Sequence, residues 1–161
     1  MGGFPDDGAV PHPFVEADYR FVLGDDPLMR QVESLCYRTL HEPFGVTRQP
    51  DWNDMDPHST HLVALDEDTV VGYGRLIEEG RWAHIRQVVV EPAYRRQGMA
   101  GTLVARLVER ARGMRLRQAY LNSRLPAVAL YESAGFRVVS KEPFPMPRTY
   151  ELHVRMECSL R

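Results

Sequence analysis

The first regular alternation of apolar and polar positions begins after residue 18 and predicts a strand followed by a helix. Residues 19–23, YRFVL, form the predicted strand. Asp26 and Pro27 then match a helix N-cap with proline at the first helical position. Apolar residues recur at helical spacing from Leu28 to Leu40, before a break at residues 43–45. The N-terminal part of the chain is therefore predicted as one strand and one helix.

The middle of the chain predicts three antiparallel strands. They occupy residues 61–66, 70–78 and 82–90 and are separated only by turns of hairpin length. The stretch before them, residues 46–60, contains prolines and acids with little periodicity. That composition predicts a long loop or a short helix between loops.

The second half of the chain predicts two more helices and three more strands. One apolar stripe starts after Gly98, runs through Leu103 and Leu107, and predicts a helix that ends near Gly113. A strand at 118–122, a short helix at 126–134 capped by Gly135, and strands at 136–142 and 149–157 follow. The whole order predicts an α+β domain built on one sheet.

Length and composition predict a single domain. The chain has 161 residues and is 43% hydrophobic, which suffices for one core but not for two. Residues 1–18 are rich in Gly, Pro and Asp and are predicted to be a flexible arm, so the domain comprises residues 19–161. Cys36 and Cys158 lack a CxxC spacing, and neither a secretory signal nor a run of ~20 apolar residues is evident. These features predict a cytoplasmic protein with no membrane partner.

Charge is distributed unevenly between the two halves of the chain. Residues 1–80 contain sixteen Asp or Glu and five Arg, a net charge of −11, whereas residues 81–161 have a net charge of +9. Such an imbalance is often only a solvated surface. The functional interpretation is a phosphate-bearing ligand on the C-terminal half and a cationic acceptor near the N-terminal half.

The segment 88–107, VVVEPAYRRQGMAGTLVARL, combines a β-branched strand, a basic turn and an amphipathic helix that opens at glycine. The first N–H groups of a helix lack internal partners and carry part of the macrodipole charge, so they suit a pyrophosphate. Arg95 and Arg96 add positive charge at the same point, and Gly98 permits close approach of a ligand. The alternative is an ordinary strand-to-helix turn.

Two motifs resemble those of the GCN5-related N-acetyltransferase (GNAT) superfamily. The acetyl-CoA motif R/Q-x-x-G-x-G/A stands here as residues 95–100, RRQGMA, and LNSRLPAVALYESAGF at 121–136 is similar to the second signature. The second stretch also resembles small ElaA-like acetyltransferases. The resemblance implies a mostly antiparallel, splayed sheet of six to seven strands flanked by about four helices. It also implies acetyl-CoA as cosubstrate and a small-molecule or peptide amine as acceptor.

The resemblance also implies which residues bind acetyl-CoA. The main chain of one strand end is expected to pair with the pantetheine arm, and the turn and helix start are expected to hold the pyrophosphate. The first group comprises Val88, Val89 and Val90, and the second comprises Arg95, Arg96, Gln97, Gly98, Met99 and Ala100. Asn122 either hydrogen-bonds the cofactor from the opposite strand or caps the helix that begins near Pro126.

Tyr131 and His84 are the candidate catalytic residues. Tyr131 occupies the tyrosine position of the second signature, and a phenol with a pKa near ~10 can donate a proton to the departing thiolate. The alternative role of Tyr131 is packing. His84 lies on the strand that carries a water-activating glutamate in some relatives and is the candidate base; the alternative is a structural or solvent-facing histidine. Strand parity puts His84 on one face with Val88 and Val90 unless a bulge intervenes. Other relatives use a glutamate where this chain has Ala119.

Several other patterns yield weaker hypotheses. His58 and His61 with Asp54 and Asp56 lack a recognised ligand spacing, so no metal is expected. The same acids with Trp52 could instead line an acceptor pocket for a cation. His153 is expected either to face the acceptor or to be paired within its strand.

Three functions compete at this level. The first is an N-acetyltransferase that works by direct attack in a ternary complex, because neither cysteine lies near the motif. The second is a catalytically silent coenzyme A-binding or sensing module. The third, nucleic-acid binding, is disfavoured because no aromatic residues interleave the arginines of 106–117. A homodimer is among the expected assemblies, since folds of this superfamily often dimerise.

Overall fold

The computed structural model describes residues 8–46 and 58–161, which form one eight-stranded sheet with helices on both faces. The strand order is β1-β2-β3-β4-β5-β8-β6, and β7 pairs with β8. All neighbouring strands are antiparallel except β4 and β5, which are parallel. The strands are β1 Asp18–Val22, β2 Ser59–Asp66, β3 Thr69–Glu79, β4 Trp82–Val90, β5 Gln118–Arg124, β6 Arg137–Val138, β7 Phe144–Pro145 and β8 Leu152–Ser159. The predicted α+β class and the central splayed sheet are confirmed.

Three α-helices occur in the described part of the chain: α1 Met29–Cys36, α2 Met99–Gly113 and α3 Val128–Ser133. The carboxylate of Asp26 accepts a hydrogen bond of 2.9 Å from the N–H of Leu28, so the predicted N-terminal signal acts as expected. The predicted first helix does not continue as one α-helix. It widens into a π-helical turn, Tyr37–His41, and then a 3₁₀ turn, Glu42–Phe44. Such turns are frequent near functional sites.

The sheet packs α2 on one face and α1 on the other. Buried residues of α2 such as Leu103 and Leu107 belong to the larger core, whereas the buried residues of α1 pack on Val63, Leu65 and Tyr73 in a second core. Gly74 of β3 lets α2 approach closely, because a Cβ there would lie 2.7 Å from Cδ1 of Leu107. The strand β4 contributes buried side chains to both cores, one on each face of the sheet.

A β-bulge in β4 changes which side chains share a face. The register runs from Arg75 opposite Arg86 to Tyr73 opposite Val89, so two residues of β4 oppose one of β3. Gln87, with φ of 56°, is part of this bulge. His84 therefore shares a face with Val89 and not with Val88 and Val90, whose side chains pack on the α2 side. The exception that the sequence prediction allowed for is present, because the bulge reverses the alternation and regular strand parity does not hold.

The strands β4 and β5 separate after a short parallel contact. Their pairing ends at His84 opposite Tyr120, although β4 continues to Val90 and β5 to Arg124. From residue 85 onward, no strand in the described part of the chain pairs with the main chain of β4 on its β5 side. The splay implied by the motifs is therefore present.

The C-terminal third departs most from the sequence prediction. The strand predicted at 136–142 is reduced to β6, the strand at 149–157 shifts to Leu152–Ser159, and β7 was not predicted. Short strands of two residues carry no periodic pattern, and only their pairing with β8 defines them. Most of the loop predicted at 46–60, including Trp52, Asp54 and Asp56, lies outside the described residues.

Part of the predicted flexible arm is bonded to the domain. The N–H of His12 donates to the carbonyl of Ala93 at 2.7 Å, and its ring stacks on Tyr94 at 4.3 Å between centroids. The N–H of Val15 donates to Oε1 of Gln97 at 3.0 Å. Residues 12–15 are thus attached to the turn before α2. In the described ranges no helix is long and apolar enough to cross a bilayer.

Candidate active site

A cavity of about 1060 Å³ occupies the gap between the splayed strands and extends along the α1 face of β4. It brings together almost all of the residues singled out in the sequence, from both motifs. The predicted residues that line it are His84, Val88, Val89, Val90, Arg95, Arg96, Gly98, Met99, Ala100, Asn122 and Tyr131. One open volume therefore connects the first motif, the second signature and the candidate base.

The N-terminus of α2 forms one end of the cavity. No side chain caps this helix, and its first turn contains no acidic residue. Gly98 precedes it with φ of 82°, a left-handed conformation in which a Cβ would meet nothing within 4 Å. Arg95 and Arg96 line the same end. Unpartnered N–H groups and two guanidinium groups make this end suited to a phosphate or pyrophosphate.

The side chain of Gln97 points away from the cavity end at the α2 N-terminus and contacts the N-terminal segment instead. Its Oε1 accepts from Val15, and its Nε2 donates to the carbonyls of His12 and Pro13 at 3.1 and 3.2 Å. Gln97 is absent from the cavity lining. Because its side-chain amide is bonded to the N-terminal segment, the predicted role of Gln97 in cofactor binding stays a prediction that concerns its main chain.

Asn122 faces the cavity from β5, across from the free edge of β4. It pairs in the sheet with Arg155 and lines the cavity, and neither the 3₁₀ turn Leu125–Ala127 nor α3 has a side-chain cap. The capping alternative for Asn122 is therefore wrong. Its amide is directed to the same gap as the unpaired main chain of Val88–90.

Tyr131 lies in α3 at the wall of the cavity and is 9% exposed. Its ring packs edge-on against Phe136, with centroids 6.1 Å apart. Burial raises the pKa of Tyr131 to about 12, although the guanidinium of Arg124 acts in the opposite direction. The hydroxyl therefore stays protonated at neutral pH and is able to donate. Packing and a chemical role are compatible at this position, since the ring is in the core while the residue lines the cavity.

His84 is held by a hydrogen-bonded network that the sequence did not reveal. Its Nδ1 lies 3.0 Å from Oε2 of Glu79, and the hydroxyl of Tyr120 donates to Oε1 of Glu79 at 2.6 Å. The imidazole also stacks on the Tyr120 ring, with 4.2 Å between the centroids. The guanidinium carbon of Arg155 lies over the Tyr120 ring as well, 4.0 Å from its centroid. His84 is thus fixed in orientation rather than solvent-facing.

Burial lowers the pKa of His84 below its ordinary value, and the guanidinium groups of Arg86 and Arg155 act in the same direction, while Glu79 opposes them. Burial works to raise the pKa of Glu79, but hydrogen bonds from Tyr120 and His84 lower it on balance. At neutral pH the imidazole is uncharged and the carboxylate is ionised. An uncharged imidazole at a cavity wall can accept a proton.

The cavity is also lined by polar residues that sequence reasoning missed. They are His41, Arg75, Arg86, Gln87 and Arg148. Nδ1 of His41 and Oε1 of Gln87 are buried without a hydrogen-bond partner. Neither residue carries a sequence signal, because His41 depends on the π-helical turn and Gln87 on the bulge. The hypothesised acidic acceptor pocket falls on residues outside the described ranges.

The remaining candidate residues from the sequence, His61, His153 and Cys36, are each held by burial or by contacts within the protein. His61 is 1% exposed, and its Nδ1 lies 2.6 Å from the hydroxyl of Tyr73. Groups of three or more potential metal ligands are not found among residues 8–46 and 58–161. His153 lines the cavity, and its Nδ1 lies 2.8 Å from the carbonyl of Glu151. Burial raises the pKa of the Cys36 thiol to about 12, so this cavity-lining cysteine is a poor nucleophile.

Comparison with known proteins connects this geometry to a family. The sequence model described as "Acetyltransferase (GNAT) family" matches residues 27–136, a range that includes α1, the bulged strand, α2 and Tyr131. Glucosamine 6-phosphate N-acetyltransferase 1 of Oryza sativa subsp. japonica is 33% identical over an alignment of 87 residues, which covers 47% of this chain and 53% of the relative. The chain thus spans about half the length of the curated relative it matches.

Solved structures share the fold over nearly the whole chain. An acyl-CoA N-acyltransferase from Pseudomonas aeruginosa superposes with a TM-score of 0.71 at 21% identity, covering 88% of this chain and 99% of the other. Escherichia coli ElaA superposes with a TM-score of 0.66 at 18% identity, again covering 88% and 99%. At these identities the likeness concerns the fold.

Proposed function

The chain belongs to the acetyltransferase (GNAT) family, and we propose that it transfers the acetyl group of acetyl-CoA to a primary amine. The observation that carries this proposal is the continuity of the cavity. An unpaired strand edge at Val88–90 leads directly to an uncapped helix N-terminus flanked by Arg95 and Arg96. Pantetheine is an extended chain with amide groups and ends in a pyrophosphate. The free strand edge can pair with the pantetheine amides, and the anion site that follows it can bind the pyrophosphate.

Acetyl-CoA is proposed to lie in the splay with its thioester near the bulge. The main chain of Val88, Val89 and Val90 would bind the pantetheine amides, and Asn122 would bind them from the β5 side. The α2 N-terminus from Gly98 to Ala100, together with Arg95 and Arg96, would bind the pyrophosphate. These assignments follow from where the residues line the cavity.

The proposed reaction is direct attack in a ternary complex. The amine nitrogen attacks the thioester carbonyl carbon while its proton passes to Nε2 of His84, directly or through water. Main-chain N–H groups at the free edge of β4 would stabilise the oxyanion. The C–S bond then breaks, and the Tyr131 hydroxyl donates a proton to the departing sulfur. The raised pKa of Tyr131 keeps its hydroxyl protonated at neutral pH, and the lowered pKa of His84 keeps its imidazole uncharged, so each group starts in the protonation state that its step requires.

The rice relative contributes a first acceptor to test. The name of that enzyme gives glucosamine 6-phosphate as the amine that it acetylates. Glucosamine 6-phosphate, glucosamine, a polyamine and an amino acid together span anionic, neutral, cationic and zwitterionic acceptors. This panel is the starting set for turnover of the present chain.

Thermal melting with and without acetyl-CoA is the first experiment. At ligand near 100 times its dissociation constant, the expected stabilisation is about 2.7 kcal/mol. For a domain of this size, that corresponds to a rise on the order of 5–10 °C in melting temperature. Matched ATP or NAD is expected to give no comparable rise. The absence of a shift at millimolar acetyl-CoA would contradict the cosubstrate.

The second experiment measures release of the coenzyme A thiol in the presence of each amine of the panel. Turnover of any amine would distinguish an enzyme from a catalytically silent binding module. Tyr131→Phe is expected to lower kcat by roughly 10²-fold or more while acetyl-CoA still raises the melting temperature. Tyr19→Phe, on β1 and away from the cavity, is the matched control. Cofactor binding without turnover of any amine would favour the silent module.

A further inference from the structure

We propose that the amine acceptor carries an anionic group, a carboxylate or a phosphate, which Arg86 and Arg148 bind at the end of the cavity opposite the α2 N-terminus. This inference rests on the proposed acetyl transfer, because it names the class of amine that the same cavity accepts. It concerns a second anion subsite, distinct from the one proposed for the pyrophosphate.

Two arginines face each other across β3 and β4 at this end. Arg75 and Arg86 are direct partners in the antiparallel register, and both line the cavity. Directly opposed residues have Cβ atoms about 5 Å apart, and like charges in that position are unfavourable. A negative charge between or above the guanidinium groups offsets that repulsion. The register therefore sets two arginines side by side on a cavity wall.

Arg148 adds a third positive charge from the loop after β7. It lines the same cavity, and its backbone has φ of 72°. Burial lowers the pKa of His41, and the charge of Arg148 lowers it further. His41 therefore lies within the electrostatic reach of Arg148 and stays uncharged at neutral pH. Its buried Nδ1 has no hydrogen-bond partner and is able to bind a polar group of an acceptor.

The carboxylates near this end are mostly engaged elsewhere. Glu79 is bonded to Tyr120 and His84, and Glu151 is paired with Arg124 at 2.7 Å. Glu33 is the other glutamate of the lining and contributes one negative charge.

The arginines of this end differ in what they contact. Arg75 donates from Nε and Nη2 to the uncharged hydroxyl of Ser59 at 3.0 and 2.7 Å. Within residues 8–46 and 58–161, Arg86 and Arg148 have neither an ion pair nor a side-chain hydrogen bond. Among the described lining residues of this wall, three arginines are present beside the one carboxylate of Glu33. Arg86 and Arg148 are the two guanidinium groups that are free to bind a ligand.

The position of the subsite suits an acceptor amine. Arg86 and His84 share a face of β4 two residues apart, which is about 7 Å along the strand. Arg86 lies four residues before Val90, about 13 Å from the strand end that leads to the pyrophosphate site. A small amino acid or a phosphorylated amine held by Arg86 could thus present its nitrogen next to His84. An anion at the α2 N-terminus could not do so.

The test uses matched pairs of amines that differ in one anionic group. O-phosphoethanolamine is compared with ethanolamine, and L-alanine with L-alaninamide, by thiol release at saturating acetyl-CoA. At least one anionic member is expected to exceed its neutral partner by roughly 10- to 100-fold in kcat/KM. The two pairs separate phosphate from carboxylate recognition. Equal or better use of the neutral members by the wild-type chain would overturn the proposal.

Substitutions connect the preference to the named residues. Arg86→Gln and Arg148→Gln are each expected to reduce the preference about tenfold, through KM for the anionic amine, without changing the acetyl-CoA melting shift. Arg112→Gln, on the exposed surface of α2 and outside the cavity lining, is the control. An unchanged preference in the double variant Arg86→Gln/Arg148→Gln would exclude these arginines as the subsite.

A binding measurement keeps the subsite testable when the chain does not turn over. With coenzyme A at saturation, so that the pyrophosphate site is filled, the anionic amines are titrated in thermal melting. A shift by the anionic but not the neutral amine, lost in the double variant, supports the subsite even when acetyl transfer itself fails. The absence of any such shift, together with the absence of any turnover preference, would rule it out.

Discussion

Oε2 of Glu79 lies 3.0 Å from Nδ1 of His84, and the same carboxylate accepts a hydrogen bond from Tyr120. An ionised carboxylate can only accept, so Nδ1 carries the proton and Nε2 carries the lone pair. Glu79 thereby selects the tautomer in which His84 can act as a base through Nε2. The residue touches His84 and not the proposed substrates, so its proposed role is positioning.

Glu79→Gln is expected to lower kcat about tenfold and to move the acid limb of the pH profile to lower pH. The direction follows because Glu79 is among the groups that raise the pKa of His84, so its removal lowers that pKa further. The measurement is kcat/KM against pH for the variant and the wild type. Glu78→Gln, on the adjacent residue of β3, is the control. A uniform loss of rate with an unmoved acid limb would indicate a structural role only.

The pH dependence of the wild type should report His84. Burial lowers its pKa below 6.5, so the proton-accepting form persists at neutral pH and is lost only as the pH falls through that lowered value. We expect kcat/KM to decline on the acid side with an apparent pKa below 6.5. His84→Gln should remove this limb and cost roughly 10²- to 10⁴-fold in rate. An acid limb that survives in His84→Gln would assign the base elsewhere.

The same lowered pKa has a consequence for stability. The unfolded chain binds a proton at His84 more readily than the folded chain, so the contribution of this group is present above its unfolded pKa. It is lost as the pH falls through the lowered pKa of the folded state. Urea unfolding at neutral and acidic pH should show His84→Gln losing less stability on acidification than the wild type. An equal loss in both proteins would show that His84 does not contribute to the acid sensitivity.

Gly74→Ala is expected to destabilise the fold by about 1–3 kcal/mol. Its Cβ would lie 2.7 Å from Cδ1 of Leu107, which is fully buried between α2 and the sheet. Gly113→Ala is the control, because a Cβ at the end of α2 meets nothing within 4 Å. That control should be neutral or stabilising by up to about 1 kcal/mol. Chemical unfolding measures both, and a neutral Gly74→Ala would contradict the close packing of α2 on β3.

Gln97→Ala should leave the affinity for acetyl-CoA within about twofold while loosening the N-terminal segment. The substitution removes the hydrogen bond to the N–H of Val15 and those to the carbonyls of His12 and Pro13. Amide exchange at Val15 should accelerate correspondingly. Arg96→Ala is the comparison, with an expected tenfold or larger loss of affinity from a charged contact. Equal losses in the two variants would show that the Gln97 side chain contacts the cofactor.

The parts of the site that the sequence predicted are the contiguous ones. Arg95, Arg96 and Gly98 come together because a buried strand, a turn and a helix start follow one another within twenty residues. Tyr131 was found through the second signature, and the structure brings it to the same cavity. The helix α2 was predicted to within a residue at both ends, since its apolar stripe is long and regular.

The parts that sequence reasoning missed depend on contacts between distant segments. The N-terminal segment occupies Gln97 from more than eighty residues away, and Glu79 reaches Tyr120 across two strands. The bulge at Gln87 is visible only when β3 is set beside β4. Arg86 and Arg148 are 62 positions apart in the chain, and only the folded structure sets both in the lining of one cavity.

The sequence by itself determined the family, the order of strands and helices apart from β7, and the position of the turn before α2. Those features depend on local periodicity and on short motifs, which neighbouring residues specify among themselves. The tertiary structure alone decided which face of β4 carries His84, which carboxylate is hydrogen-bonded to it, and which distant arginines line the same cavity. These features arise because one extra residue in a strand reverses all later side chains, and because strand pairing brings together charges that the chain keeps far apart.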